Sequence, residues 1–173
     1  MKKLLLGIAA VCLAGFTFAQ DAPLWMRHSV ISPDGTTIAF TYKGDIYTVP
    51  VAGGRAMQIT TNPAYDTAPV WSPDSKRIAF ASDRMGSLDV YIVAKDGGEP
   101  RRLTTHSGSE TPLAFTDAGH VLFSAGIMPS AEAVVFPSNG QFNQVYRVSV
   151  EGGRPTMISS MPMECISINK EGA

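Results

Sequence analysis

The chain has 173 residues, 45% hydrophobic and 17% charged, a balance that suits a globular core and argues against long disorder. Lys plus Arg is 14 against 15 for Asp plus Glu, so the net charge is −1 and the basic stripe of a nucleic-acid binder is absent. The 16 Gly and 12 Pro are too many turn-formers for a helix bundle and predict short segments joined by turns.

The first 19 residues read as a secretory signal peptide. Lys2 and Lys3 supply the positive start, Leu4 to Phe18 the apolar stretch, and Thr17-Phe18-Ala19 the small-x-small cleavage site. The mature chain is expected to begin at Gln20 and to be exported, to a periplasm or outside the cell. A spanning helix needs about 20 apolar residues. This run is shorter, contains Gly7 and Gly15, and ends in Gln20-Asp21, so the mature chain is expected not to span a membrane. Bulky Val11 and the short run before Cys12 argue against a lipoprotein anchor. Cleavage leaves Cys165 as the one cysteine of the segment, so no disulfide can form within it. Cys165 reads as a small buried apolar residue rather than a nucleophile.

Beyond a lead-in at 20–27 the sequence repeats itself. Val30-Ile31-Ser32-Pro33-Asp34-Gly35 through Phe40 recurs 40 residues on as Val70-Trp71-Ser72-Pro73-Asp74-Ser75 through Phe80. A weaker copy runs from Ala114 to Phe123. Asp45-Ile46-Tyr47-Thr48-Val49 with Gly53-Gly54 recurs as Asp89-Val90-Tyr91-Ile92-Val93 with Gly97-Gly98, and as Gln144-Val145-Tyr146-Arg147-Val148 with Gly152-Gly153. Each copy closes on a short apolar-polar segment, such as Met57-Gln58-Ile59-Thr60 or Arg102-Leu103-Thr104. Within a copy the period is two: Ile78 and Phe80 point one way, Ala79 and Ala81 the other. Apolar residues on both faces suit a sheet packed between two others. Ser-Pro-Asp-Gly and Gly-Gly are turns, because Pro presets φ, Ser and Asp bond nearby amides, and Gly takes positive φ.

Each copy is therefore a four-stranded antiparallel meander of about 40 residues, the length of a propeller blade. The expected fold is all-β, a β-propeller segment of three blades plus the first strand of a fourth. Blade 1 covers 28–67, blade 2 covers 68–110, and blade 3 covers 111–163 with an insertion at 125–143. Blade 4 starts at 164–173, with Asn169-Lys170-Glu171-Gly172 where the Ser-Pro-Asp-Gly turn belongs. A propeller closes only with about 4–8 blades. This one is expected to be incomplete, and residues 20–173 alone are expected to be aggregation-prone.

The run from Trp71 through Arg84, then Asp89-Val90-Tyr91, Gly97-Gly98 and Arg102-Leu103-Thr104, resembles the TolB-type β-propeller repeat. The order of a signal peptide, Leu24-Trp25-Met26-Arg27, Ile31-Ser32-Pro33-Asp34-Gly35 and Tyr42-Lys43-Gly44-Asp45-Ile46-Tyr47 is similar to the start of secreted tricorn-like serine peptidases. That resemblance implies a PDZ-like module and a tail-processing-type protease domain downstream as partners within the same chain. The family's catalytic residues lie far beyond such propellers, so none carries over here. The propeller would then give peptides access or hold the domains together. Two other readings stay open: a periplasmic TolB-like protein-binding scaffold with no enzyme, and the propeller of a prolyl-oligopeptidase-type hydrolase. The sequence after residue 173 separates them.

In such a blade the first and third turns share one rim, while the second turn and the crossover to the next blade share the other. The second turn varies: five steps from Phe40 to Asp45, nine from Phe80 to Asp89, twenty-one from Phe123 to Gln144. Loops that vary on a rigid scaffold usually carry recognition. Tyr65, Arg84 and His106, with the 125–143 insertion, are therefore the candidate binding rim for peptide or a neighbouring domain. The plainer expectation is that Asp83 caps its own turn and Arg84 pairs with it or snorkels. Tyr47, Tyr91 and Tyr146 are expected to pack between sheets, and Trp25 and Trp71 to pack in the core or rim.

His28, His106 and His120 show no metal-ligand spacing. No Gly-x-Ser-x-Gly elbow and no phosphate loop occur. Asp34 and Asp74 are turn residues of separate sheets, not an acid/base pair. The segment offers no catalytic, metal or cofactor residue, and no cofactor is expected.

Overall fold

Alternating apolar residues bounded by Pro, Asp and Gly turns build strands, and twelve occur among the described residues of this computed structural model, 25–126, 143–161 and 166. The expected signal peptide, Cys165, the body of the 125–143 insertion and, apart from Ile166, the fourth-blade start lie outside the described residues. The first sheet holds β1 (Arg27–Ile31), β2 (Thr37–Tyr42), β3 (Asp45–Pro50) and β4 (Met57–Gln58). The second holds β5 (Asp66–Trp71), β6 (Arg77–Ser82), β7 (Asp89–Ala94) and β8 (Arg101–Arg102). The third holds β9 (Glu110–Asp117), β10 (His120–Ala125), β11 (Gln144–Ser149) and β12 (Thr156–Ser159). Each is an antiparallel meander in chain order, as the repeats imply.

The second sheet is buried on both faces. Ile78, Phe80, Tyr91 and Val93 meet Ala39, Ile46 and Ile59 of the first repeat. Ala79, Val90 and Ile92 meet Phe115, Val121, Phe123 and Tyr146 of the third. The period of two is thus the division of one sheet between two cores. Tyr91 and Tyr146 join these cores, and each also stacks on a Phe across its own sheet. The pairs Phe40–Tyr47, Phe80–Tyr91 and Phe123–Tyr146 have ring centroids 5.7–5.9 Å apart. Trp71 is buried, and its Nε1 donates to the Val30 carbonyl at 3.2 Å, fastening the second sheet to the first. Trp25 departs from expectation: it is 71% exposed, with the Arg27 guanidinium over its ring.

The turn chemistry follows the residues. Ser32 Oγ and the Thr36 amide and hydroxyl all donate to Asp34 Oδ1, at 2.6–2.9 Å. These bonds, led by Ser32, hold the Asp34 carboxyl down at about 2. Ser72 and Lys76 treat Asp74 the same way. Gly35 takes φ 71°, and its counterpart Ser75 takes φ 57°, a position that favours glycine. The Asp34 amide donates to Ser75 Oγ at 3.1 Å, so adjacent turns are tied together. On the same rim Arg101 bonds Glu151 at 2.8 Å and reaches the Val150 carbonyl, and Arg77 reaches the Ala118 carbonyl.

Candidate functional site

The opposite rim gathers the second turns and the crossovers, and one backbone bond recurs there. The Asp66 amide donates to the Gly44 carbonyl at 2.7 Å, and the Glu110 amide donates to the Leu88 carbonyl at 2.7 Å. Each bond lays the start of a sheet's first strand against the previous sheet's second turn. The threonine that ends each repeat repeats its role: Thr60 Oγ1 accepts from the Ile46 amide and Thr104 Oγ1 from the Val90 amide, at 2.9–3.0 Å.

The turn at 83–88 brings the three predicted rim residues to one neighbourhood. Tyr65 reaches it through its amide, which donates to Asp83 Oδ1 at 2.8 Å. His106 reaches it through its carbonyl, which accepts from Ser87 Oγ at 3.3 Å. Arg84 lies within it, but its charge is committed. Its Nη2 stands 3.0 Å from both oxygens of buried Asp66, and its Nε donates to Ser82 Oγ at 2.8 Å. Its guanidinium also lies 4.5 Å from the Tyr91 ring centroid. The expected Asp83–Arg84 partnership is therefore replaced. Asp83 binds the preceding crossover, and Arg84 binds the acid that opens β5, the strand paired with its own, because the turn folds back over both. His106 is exposed, and its Nδ1 accepts from the Gly108 amide at 3.0 Å.

A groove of about 480 Å³ opens at the first sheet's second turn, lined by Trp25, Arg27, Thr41, Lys43, Gly44 and Tyr65. Tyr65 is 42% exposed. Gly44 takes φ 90°, the left-handed region that favours glycine, and the Tyr65 ring packs beside it.

Sequence reasoning missed the charges beneath the rim. Asp66, Asp89 and Glu110 are all fully buried. Asp89 pairs with Arg102 at 2.8 Å. Among the described residues Glu110 has no ion-pair partner, and neither of its oxygens has a well-formed hydrogen bond. Desolvation, reinforced by the nearby Asp89 charge and opposed by Thr104 and Arg102, pushes its carboxyl up to about 7. Burial likewise raises Asp45, against bonds from Thr60 and Gln58. A signal was present: Asp45 and Asp89, like Asp66 and Glu110, are acids 44 residues apart at matching strand starts. Among the described residues no three His, Cys, Asp or Glu side chains are grouped to hold a metal, and no helix is long and apolar enough to cross a membrane.

The chain is 35% identical over 102 residues to Tricorn protease homolog 1 of Streptomyces coelicolor, covering 58% of this chain and 9% of that protein. It is 30% identical over 129 residues to the uncharacterized peptidase YuxL of Bacillus subtilis, covering 73% of this chain and 20% of that protein. The structure of putative TolB from Agrobacterium tumefaciens superposes with a TM-score of 0.62 at 22% identity, covering 80% of this chain and 50% of that one. The chain thus spans a small part of the curated relatives it matches. The profile described as "Tricorn protease N-terminal beta propeller domain" matches residues 23–173, through all three sheets. The chain belongs to the tricorn protease N-terminal β-propeller family.

Proposed function

We propose that the chain is the non-catalytic N-terminal propeller portion of an exported tricorn-like serine peptidase. Its blades are the three sheets described above, whose first strands open one or two residues before the expected starts at 28, 68 and 111, and a fourth is expected over 164–173. The rim bearing Tyr65, Arg84, His106 and the 125–143 insertion gives peptides access or docks the downstream PDZ-like and protease domains. The observation that carries this reading is the family match across 23–173, supported by relatives named as a tricorn protease homologue and a peptidase. Arg84 then serves the rim from below, as the clamp on Asp66, while Tyr65 and His106 present exposed surface.

The test is to isolate the native protein from its source cells, measure its intact mass and treat it with a fluorophosphonate. A mass several times the 18.4 kDa of these 173 residues, with one labelled serine, is expected. An unlabelled single closed propeller would overturn the peptidase reading in favour of a TolB-like scaffold.

A further inference from the structure

The rim of the first and third turns is fastened differently at its two sheet junctions. Between the second and third sheets, Arg101 of β8 crosses to Glu151 at 2.8 Å and to the Val150 carbonyl, and Arg77 of β6 reaches the Ala118 carbonyl. The first repeat places uncharged side chains at the same register positions. Met57 pairs with Thr48 as Arg101 pairs with Ile92, and Thr37 pairs with Pro50 as Arg77 pairs with Ala94. Counting from the Gly-Gly turns, Asp96 and Lys95 of the second repeat stand where Glu151 and Val150 stand in the third. A cavity of about 680 Å³ lies there between the first two sheets, and Thr37, Pro50, Met57, Lys95 and Asp96 all line it. The volume falls within the range of about 300–1,000 Å³ of small-ligand sites. Asp96 is exposed and has no ion-pair partner among the described residues. Two cations share the lining, and neither meets it: Arg55 makes no ion pair among the described residues, and Lys95 lies near enough to Asp34 to help hold that carboxyl down.

We infer that this cavity takes a guanidinium group. Its N–H groups donate to the Asp96 carboxylate and the Lys95 carbonyl, as Arg101 donates to Glu151 and Val150 one junction further on. Its aliphatic stem lies against Met57 and Pro50, which line the same wall. An ammonium is a point charge, whereas the planar fork of a guanidinium meets two acceptors at a fixed spacing, so the site prefers arginine chemistry to lysine chemistry. A free guanidinium compound and an arginine side chain of another polypeptide offer that same group.

Calorimetric titration of the full-length protein with acetyl-arginine amide, its citrulline and lysine counterparts, and agmatine tests it. The arginine amide should bind about tenfold more tightly than the uncharged citrulline amide, since hydrogen bonds to charged groups are the strong ones, and more tightly than the lysine amide. Agmatine carries the guanidinium without a backbone. Tighter binding of agmatine supports the site with a free ligand as its source, and tighter binding of the arginine amide supports it with a side chain as its source. Asp96→Asn should abolish the preference for arginine over citrulline. Met57→Arg gives the first junction the side chain of the second and should abolish binding from within, with the circular dichroism unchanged. Equal binding of the arginine and citrulline amides, or of the arginine and lysine amides, overturns the proposal, as does no binding of any of them. Binding that survives both substitutions puts the guanidinium elsewhere on the protein and overturns this site. Binding lost in Asp96→Asn but kept in Met57→Arg puts the cation outside the cavity and overturns it as well.

Discussion

The rim ends of the second and third sheets are built alike and finished differently. Asp66 and Glu110 occupy the same place, at the start of a first strand, each with its amide held by the preceding second turn. Both side chains are fully buried. Asp66 is met by Arg84, which extends two residues beyond its strand partner Ser82. The residue two beyond Ala125, the partner of Glu110, is Ile127, and positions 126–143 contain no Lys or Arg. One junction is therefore an ion pair, and the other is a carboxyl with no ion-pair partner among the described residues, whose burial favours its protonated form. The longer second turn exchanged a clamp for a proton-dependent seam.

Breaking the clamp should have the largest effect. Arg84→Ala leaves buried Asp66 uncompensated and should destabilise the fold by about 3–5 kcal/mol, read by urea unfolding. Arg84→Lys should recover only part of this, because it loses the Nε bond to Ser82 and the guanidinium stacking on Tyr91. An Arg84→Ala variant as stable as the parent would show that the Arg84–Asp66 pair adds nothing to the fold's stability.

The seam gives the next effect, and it has a sign. Glu110 is raised from 4.5 to about 7, so between those values the folded chain binds more protons than the unfolded chain. Stability should fall as pH rises through that window and level off above it, by about 3 kcal/mol at most. Glu110→Gln cannot ionise and should flatten the decline. The same decline surviving in Glu110→Gln would assign it elsewhere. A smaller effect should come from Asp89→Asn. It removes the charge that raises Glu110 and frees Arg102 to favour its ionised form, so the midpoint of the decline should move to lower pH. An upward move would show that Asp89 and Arg102 act as one neutral unit.

The fold was legible because its signals are local. Ser-Pro-Asp, Gly-Gly and the period of two each constrain a few neighbouring residues, and the chain repeats them, Ser-Pro-Asp twice and Gly-Gly three times. Ser75 shows the limit of residue type, since it holds the left-handed position its repeat gives to Gly35. The candidate rim residues were legible as neighbours of one turn, but their bonding partners were not. Asp83 reads as a cap for its own turn because turn acids usually are; its partner, Tyr65, lies 18 residues earlier on another loop. Glu110 passed unnoticed because acids are seldom fully buried, and only its spacing from Asp66 hinted otherwise. Trp25 misled in the reverse direction, a large apolar residue standing in solvent beside a cation.

The recurring bonds from Asp66 to Gly44 and from Glu110 to Leu88 also bear on how the chain is made. Each joins residues only 22 positions apart, and each points from a later repeat back to one already complete. A nascent chain leaving the ribosome could therefore set each new blade against a finished template, one repeat at a time, before any distant pairing is required. Ring closure would be the last event, and the only one that waits for the far end of the chain.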